Sequence, residues 1–235
     1  MRYRLLLWDF DGTLADSLMF GLELYNRLAA SLGCRPIQDP QQLRHLSTRQ
    51  VLRHCGISLW RLPRLVRRFH AAAAAGAAQI RLYPLLEELL PLLQAAGVRM
   101  GIVSSNSEAN IRQTLRANAA ESYFEFVASC PRLFRKGRVV RHCIRRLGVP
   151  REQVLYIGDE VRDIVAARQA RIAVAAVTWG FHVAEALRAA QPDYLLTHPR
   201  QLVTVVGLPW PEDSLTQVEP SSPADRPVLP VSACS

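Results

Sequence analysis

The sequence predicts an α/β protein: a parallel β-sheet with helices on both faces, interrupted early by an all-helical insertion. Three observations carry that prediction. A short apolar run, Leu5-Leu6-Leu7-Trp8, ends abruptly in Asp9 and Asp11, and acids at the carboxyl end of such a strand face a ligand crevice. Residues 18–81 hold helical periods and no run that reads as a strand. From Tyr83-Pro84 onward short apolar runs alternate with helical segments, the pattern of repeated β-α-β units with right-handed crossovers.

The first strand reads as buried, and Gly12-Thr13 turns the chain where it stops. Phe20, Leu24, Leu28 and Leu32 recur every four residues, which predicts an amphipathic helix ending at Gly33. Ser47 or Thr48 caps a short helix through Cys55, stopped by Gly56. A third helix is expected over 60–78, with Pro63 in its first turn. Further helices are expected over 85–96, 108–118, 139–147, 161–170 and 183–190. Strands are expected over 98–103, 124–128, 154–157, 172–177 and 194–196. Residues 1–17 and 82–207 thus read as an α/β core and 18–81 as a helical cap. The Pro-rich segment 208–235 has little to bury and is expected to be disordered.

Composition narrows the function classes. The net charge is +9, yet the arginines are spread along the chain without interleaved aromatics, so no specific nucleic-acid partner is expected. No apolar run approaches the roughly 18 residues of a membrane span, and the apolar part of the N-terminus is too short for a signal peptide. The five cysteines are scattered without a Cys-x-x-Cys pair and read as reduced thiols of a cytoplasmic protein. The six histidines show no ligand spacing. Lys136 is the only lysine among 29 basic residues. A coding bias toward arginine explains the bulk, and a lysine that survives it marks a place where a compact ammonium is needed.

Polar residues stand at strand ends in a fixed order, with Lys136 at a helix start: Asp9 and Asp11, then Ser104 with Ser105, then Lys136, then Asp159 and Asp163. In a parallel sheet these ends share one edge. Two carboxylates as close as Asp9 and Asp11 repel unless a cation or a proton intervenes, and Mg²⁺ suits such a pair. Phosphoryl transfer asks for these groups: a carboxylate nucleophile, a second acid, a hydroxyl and an ammonium for phosphoryl oxygens. Each also has an ordinary reading. Ser104 could cap the helix beginning near Ser107, Lys136 could be a solvated helix residue, and Asp163 could pair with Arg162 or Arg168.

Taken together, Asp9-Phe10-Asp11-Gly12-Thr13, Ser104 after an apolar strand, Lys136, and Gly158-Asp159-Glu160-Val161-Arg162-Asp163 resemble the four motifs of the haloacid dehalogenase-like phosphohydrolases. The similarity covers residues 4–205 and is greatest to the subgroup with phosphoglycolate phosphatases and β-phosphoglucomutases. It implies a Rossmann-like core with a helical cap inserted after the first motif. It also implies Asp9 as nucleophile, Asp11 as general acid/base, and Mg²⁺ held by the Asp9 carboxylate, the Asp11 carbonyl and Asp159. Ser104, Ser105 and Lys136 would hold phosphate, with Asp163 behind the metal ligands. Ser47-Thr48-Arg49 resembles the step with which relatives grip a second anionic group, which makes Arg49 a candidate substrate contact. The context Arg135-Lys136-Gly137 departs from the glycine before and proline after the lysine in many relatives, and Arg171 stands where glycine is common.

A Mg²⁺-dependent phosphatase acting on a small phosphorylated metabolite is the leading expectation, with phosphoglycolate first, in a monomer or homodimer with no membrane partner. Dehalogenation is disfavoured by the presence of Asp11, and Schiff-base phosphonate cleavage by the absence of lysine from 18–81. A sugar-phosphate mutase and a non-catalytic binding protein on the same fold are the alternatives.

Overall fold

The computed structural model describes residues 1–131 and 135–209. The expectation of disorder for the tail falls on 208–235, of which all but Leu208 and Pro209 lie outside the described residues. Six strands form one sheet: β1 (Leu5–Trp8), β2 (Arg99–Ser104), β3 (Phe126–Ser129), β4 (Val154–Gly158), β5 (Ala173–Val177) and β6 (Tyr194–Leu196). Every pairing is parallel, in the order β3-β2-β1-β4-β5-β6. Between β1 and β2 the chain forms α1 (Leu18–Ala29), α2 (Thr48–His54), α3 (Leu62–Ala73) and α4 (Leu86–Ala95). The later crossovers carry α5 (Glu108–Ala117), α6 (Lys136–Leu147), α7 (Val161–Ala170) and α8 (Ala184–Ala189), and α9 (Gln201–Val206) follows β6.

β1 lies between β2 and β4, with Trp8 level with Ile102 on one side and Ile157 on the other. Strand order reverses there, so the loops leaving β1, β2 and β4 diverge and open a crevice at their carboxyl ends. Alternation along β1 separates two cores. Leu6 and Trp8 pack with Leu86, Leu90, Ile111 and Leu115 of α4 and α5, and with Leu202 and Val206 of α9. Leu5 and Leu7 face the other way, onto Val140 and Ile144 of α6, Ile164 and Ala167 of α7, and Leu187 of α8. Both faces of β1 are therefore apolar, which is why it reads as an unbroken hydrophobic run.

Boundaries shifted where polarity hid the period. α6 begins at Lys136 rather than 139, because Gly137 is buried where a Cβ would lie 3.0 Å from the Ala166 carbonyl of α7. Glycine there lets the two helices approach and brings Lys136 inward. The expected helix 60–78 is α3 followed by a separate turn at Ala77–Gln79, and α9 was not foreseen. Arg171 closes α7 with φ 59°, the left-handed conformation that glycine adopts at no steric cost. Cys34, Cys55 and Cys143 are free thiols. Among the described residues no helix is long and apolar enough to cross a membrane.

The segment between β1 and α4 contains no strand of the sheet and has its own small apolar cluster of Leu52, Cys55, Ile57 and Leu65, flanked by Tyr25, Leu32 and Leu62. It docks on a polar stripe of α5. Asn110 Nδ2 donates to His70 O (3.0 Å), Thr114 Oγ1 to Ala77 O (2.7 Å) and, just past the helix, Asn118 Nδ2 to Ile80 O (2.9 Å). The three lie at spacings of four, on one face of the helix.

Gly101 of β2 is level with Phe126 of β3, and a Cβ on Gly101 would lie 2.3 Å from the Phe126 ring. Gly101→Ala is expected to destabilise the protein by about 1–3 kcal/mol through overpacking. The same change made in a Phe126→Leu background should cost less than half as much, as measured by urea denaturation. Equal costs in both backgrounds would show that the ring does not set the demand for glycine.

Candidate active site

The turn after β1 is built around one carbonyl. Asp9 N still donates to Ile157 O of β4 (2.8 Å), and then Thr13, Leu14 and Ala15 N–H groups all point at Phe10 O (3.3, 2.9 and 2.9 Å). Gly12 takes φ 75° in this turn, and a Cβ on it would lie 2.3 Å from Asp159 Oδ2. Gly180 presses on the same carboxylate from the β5–α8 loop, where a Cβ would lie 2.2 Å from Asp159 Cβ. Gly158 leaves equal room for Asp163, at 2.6 Å from its Cγ. Glycines at these positions let acids from β1, β4 and α7 converge.

Lys136 Nζ joins them. It lies 2.6 Å from Asp9 Oδ2 and 2.6 Å from Asp163 Oδ1, over the Tyr156 ring, and is 3% exposed. The other oxygen of Asp9 accepts from Phe10 N (2.7 Å), and that of Asp163 from Glu160 N (3.1 Å). Asp159 accepts from Thr13 Oγ1 (2.8 Å) and Phe181 N (2.7 Å) and has no ion-pair partner among the described residues. Carboxylate oxygens of Asp9, Asp159 and Asp163 all lie within 4.8 Å of one another.

Environment divides these acids. Burial acts to raise Asp9, but the charges of Lys136 and Arg162 outweigh it and hold the carboxyl below its ordinary range. Asp11 is raised, by burial first and also by the charge of Asp9, against hydrogen bonds from Ser17 and Asn106. Burial and the Glu160 and Asp9 charges push Asp159 well up. Asp163 is pushed up to about 7, by burial first, with Lys136 opposing. Buried acids so raised mark a cluster short of positive charge, and all-oxygen donors of this kind suit a hard divalent cation. The cluster could therefore bind a metal.

Asp11 is outside that cluster. Ser17 Oγ donates to its Oδ1 (2.7 Å) and Asn106 Nδ2 to its Oδ2 (3.0 Å), at the edge of a cavity of about 180 Å³. Asp11, Ser105, Asn106 and Pro131 form one wall, and Tyr25, Leu65, Val66, Phe69 and His70 from the helical segment form the other. Ser104 ends β2, and its Oγ accepts from Asn106 N (3.3 Å), whereas Ser107 is the residue that caps α5. Asp163, expected behind the metal ligands, stands within the acid cluster. Arg49 is exposed on α2 and does not line the cavity, and the start of that helix is closed by a Ser47–Gln50 capping box.

Sequence reasoning left three contributors without a role. Asn106 and Ser17 hold Asp11, and each sits within a few residues of a recognised motif. Arg162 lies inside the fourth motif, where its Nη2 donates to Ser105 Oγ (3.3 Å) and pairs with Glu160 Oε1, tying the loops after β2 and β4 together. Its Nε is buried without a partner among the described residues.

Similarity to known proteins agrees with this arrangement. The sequence profile of the haloacid dehalogenase-like hydrolases matches residues 6–177. A phosphoglycolate phosphatase of Synechococcus elongatus is 37% identical over 203 residues, covering 86% of this chain and 96% of that one. Phosphoglycolate phosphatase 1 of Pseudomonas aeruginosa is 25% identical over 242 residues, covering 96% and 88%. A haloacid dehalogenase-like hydrolase of Streptococcus pneumoniae superposes with a TM-score of 0.72 at 23% identity, covering 86% and 98%, which speaks to the fold. By sequence profile, by fold and by the residues gathered at the ends of β1, β2 and β4, this chain belongs to the haloacid dehalogenase-like hydrolases.

Proposed function

We propose that this protein is a Mg²⁺-dependent phosphatase that hydrolyses phosphoglycolate, or a phosphomonoester of similar size, through an aspartyl-phosphate on Asp9. The observation that carries the reading is the opposite treatment of two neighbouring acids. Asp9 is held anionic against Lys136, and Asp11, two residues on, is pushed toward its protonated form at the cavity edge. A pair of acids split in this way is what nucleophile and general acid require. The cavity of about 180 Å³ suits a small substrate, and the phosphoglycolate phosphatase of Synechococcus elongatus, 37% identical along nearly its whole length, supports the choice of substrate.

In this reading the Asp9 carboxylate attacks phosphorus while the bond to the substrate alcohol breaks. Protonated Asp11 gives its proton to the departing oxygen. The resulting Asp11 carboxylate then takes a proton from a water that attacks phosphorus, which frees phosphate and restores both acids. Ser104, Ser105 and Lys136 hold phosphoryl oxygens. Asp9, Asp159 and the Asp11 carbonyl would hold Mg²⁺, with Asp163 keeping Lys136 in place, and the ion offsets the charge of phosphate meeting carboxylates. The helical segment walls one side of the cavity with Leu65, Val66 and Phe69 beside Tyr25 and His70.

Asp9→Asn is expected to keep the circular dichroism of the parent and lose at least about a thousandfold in kcat for phosphate release from phosphoglycolate. EDTA should abolish turnover by the parent, and added Mg²⁺ should restore it. Normal turnover by the variant would remove Asp9 as nucleophile, and turnover that survives EDTA would remove the metal.

The acid cluster also predicts a pH effect. Asp159 and Asp163 are both raised, chiefly by burial, so they bind protons more tightly folded than unfolded. Stability from such groups is complete below the ordinary carboxylate range and is lost as pH rises through the folded values, about 7 for Asp163. In EDTA the unfolding free energy should fall as pH is raised from about 6 to 8, by at most about 1.4 kcal/mol per proton and pH unit, and the Tm should fall with it. Mg²⁺ should flatten the fall by supplying the missing charge. A Tm independent of pH in EDTA would show that the acids are not short of counter-charge.

A further inference from the structure

The loop between β5 and α8 stands against the back of Asp159. Phe181 N donates to Asp159 Oδ2 (2.7 Å) and His182 N to the Asp159 carbonyl (3.3 Å). Trp179 Nε1 donates to Thr13 O (3.1 Å), and Thr13 Oγ1 holds the other oxygen of Asp159 (2.8 Å). With Gly12 and Gly180 closing on its sides, the Asp159 carboxylate is aimed by this loop.

The opposite side of the loop is gripped by the helical segment, from a turn at Pro40–His45 anchored by buried Leu43. Arg44 Nε donates to Phe181 O (2.8 Å) and Arg44 Nη2 to Gly180 O (3.0 Å). Val183 N donates to Arg44 O (3.3 Å), and His182 Nε2 lies 3.0 Å from Leu46 O. One peptide group thus faces both ways: the Gly180 carbonyl accepts from the Arg44 guanidinium, and the N–H of the same peptide donates to Asp159 Oδ2. A charged donor on the carbonyl polarises the peptide and strengthens donation by its N–H. It also fixes the peptide plane, and so the rotamer of the carboxylate beyond it.

We propose that Arg44 is a positioning residue for the cation site: through the Gly180–Phe181 peptide it sets the Asp159 carboxylate, which couples docking of the helical segment to cation binding. The proposal rests on the reading above in which Asp159 is a metal ligand. Coupling of this kind is reciprocal. Docking of the segment raises affinity for Mg²⁺, and Mg²⁺ tightens the docked segment by the same factor. Apart from those of Arg44, the hydrogen bonds across this seam among the described residues come from main-chain groups and His182, so among the described residues the guanidinium is the side chain of the segment that addresses the 180–181 peptide.

The test compares the full-length parent with Arg44→Met, Arg44→Lys, Asp159→Asn and, as a surface control, Arg53→Gln. Two readouts are taken: Mg²⁺ affinity by isothermal titration calorimetry, and the rate of limited proteolysis within 18–81 with and without Mg²⁺. Arg44→Met should weaken Mg²⁺ binding by about tenfold and abolish the protection from proteolysis that Mg²⁺ gives the parent. Arg44→Lys, which can reach one carbonyl but not fork across both, should fall between. Arg53→Gln should match the parent in both. Parent-like Mg²⁺ affinity in Arg44→Met, whatever its Tm, would overturn the proposal, and if that variant does not fold, parent-like affinity in Arg44→Lys would do so. Parent-like affinity in Asp159→Asn would instead overturn the metal assignment on which it rests. Loss of binding in Asp159→Asn with no loss in either Arg44 variant would leave that assignment standing and remove Arg44 alone.

Discussion

A single buried ammonium holds this site together. Lys136 Nζ sits 2.6 Å from carboxylates of Asp9, just after β1, and of Asp163 in α7, elements far apart in the chain, at 3% exposure. Burying three charges is costly, and removing one partner of such a group costs about 3–5 kcal/mol because the others are left uncompensated. The surrounding structure accordingly gives the second oxygen of each acid a backbone donor: Phe10 N for Asp9, Glu160 N for Asp163. Early entry of α6, allowed by Gly137 against α7, is what carries the ammonium there. Lysine rather than arginine follows, since a compact head on a flexible stem fits a gap between two acids where a planar fork would not.

Close approach is the second constraint. Gly12, Gly158 and Gly180 each stand where a Cβ would collide with Asp159 or Asp163. Acids crowded in this way raise one another, and their differences come from local partners. Asp9 has Lys136, while Asp11 accepts from the neutral donors Ser17 and Asn106 and is raised by burial first and then by the charge of Asp9. Two identical side chains two residues apart thus become suited to opposite tasks. Arg162 adds a fixed positive charge and ties the loop after β2 to the loop after β4.

The helical segment contributes in two ways. It supplies apolar side chains to the cavity wall opposite Asp11 and Asn106, and it grips the loop that carries Asp159's donors. Its own core is small, built around Leu52, Cys55, Ile57 and Leu65, so its position depends heavily on polar contacts with α5 and with residues 180–183. A segment held in that way can respond to what happens in the crevice.

Local pattern in the sequence determined the strands of the sheet, the order of β-α-β units and the acids, serines and lysine at their ends, because burial on one or both faces of an element leaves a period in the chain. The first strand is legible for that reason, as are the glycine stops at Gly33, Gly56 and Gly148, each with positive φ. Where packing rather than period set the boundary, reading failed: α6 starts early on account of Gly137, and α9 is short, though its apolar residues close one core. Tertiary structure alone decided which acid is lowered and which raised, that Asp163 stands among the cluster, that Arg49 is exposed, and that Asn106 and Arg162 reach across to Asp11 and Ser105 while Arg44 reaches the 180–181 peptide. A pKa or a hydrogen bond depends on distances between groups 95 or more residues apart, as from Asn106 to Asp11 and from Lys136 to Asp9. Those distances are set by how the loops leave β1, β2 and β4, and no local period records them.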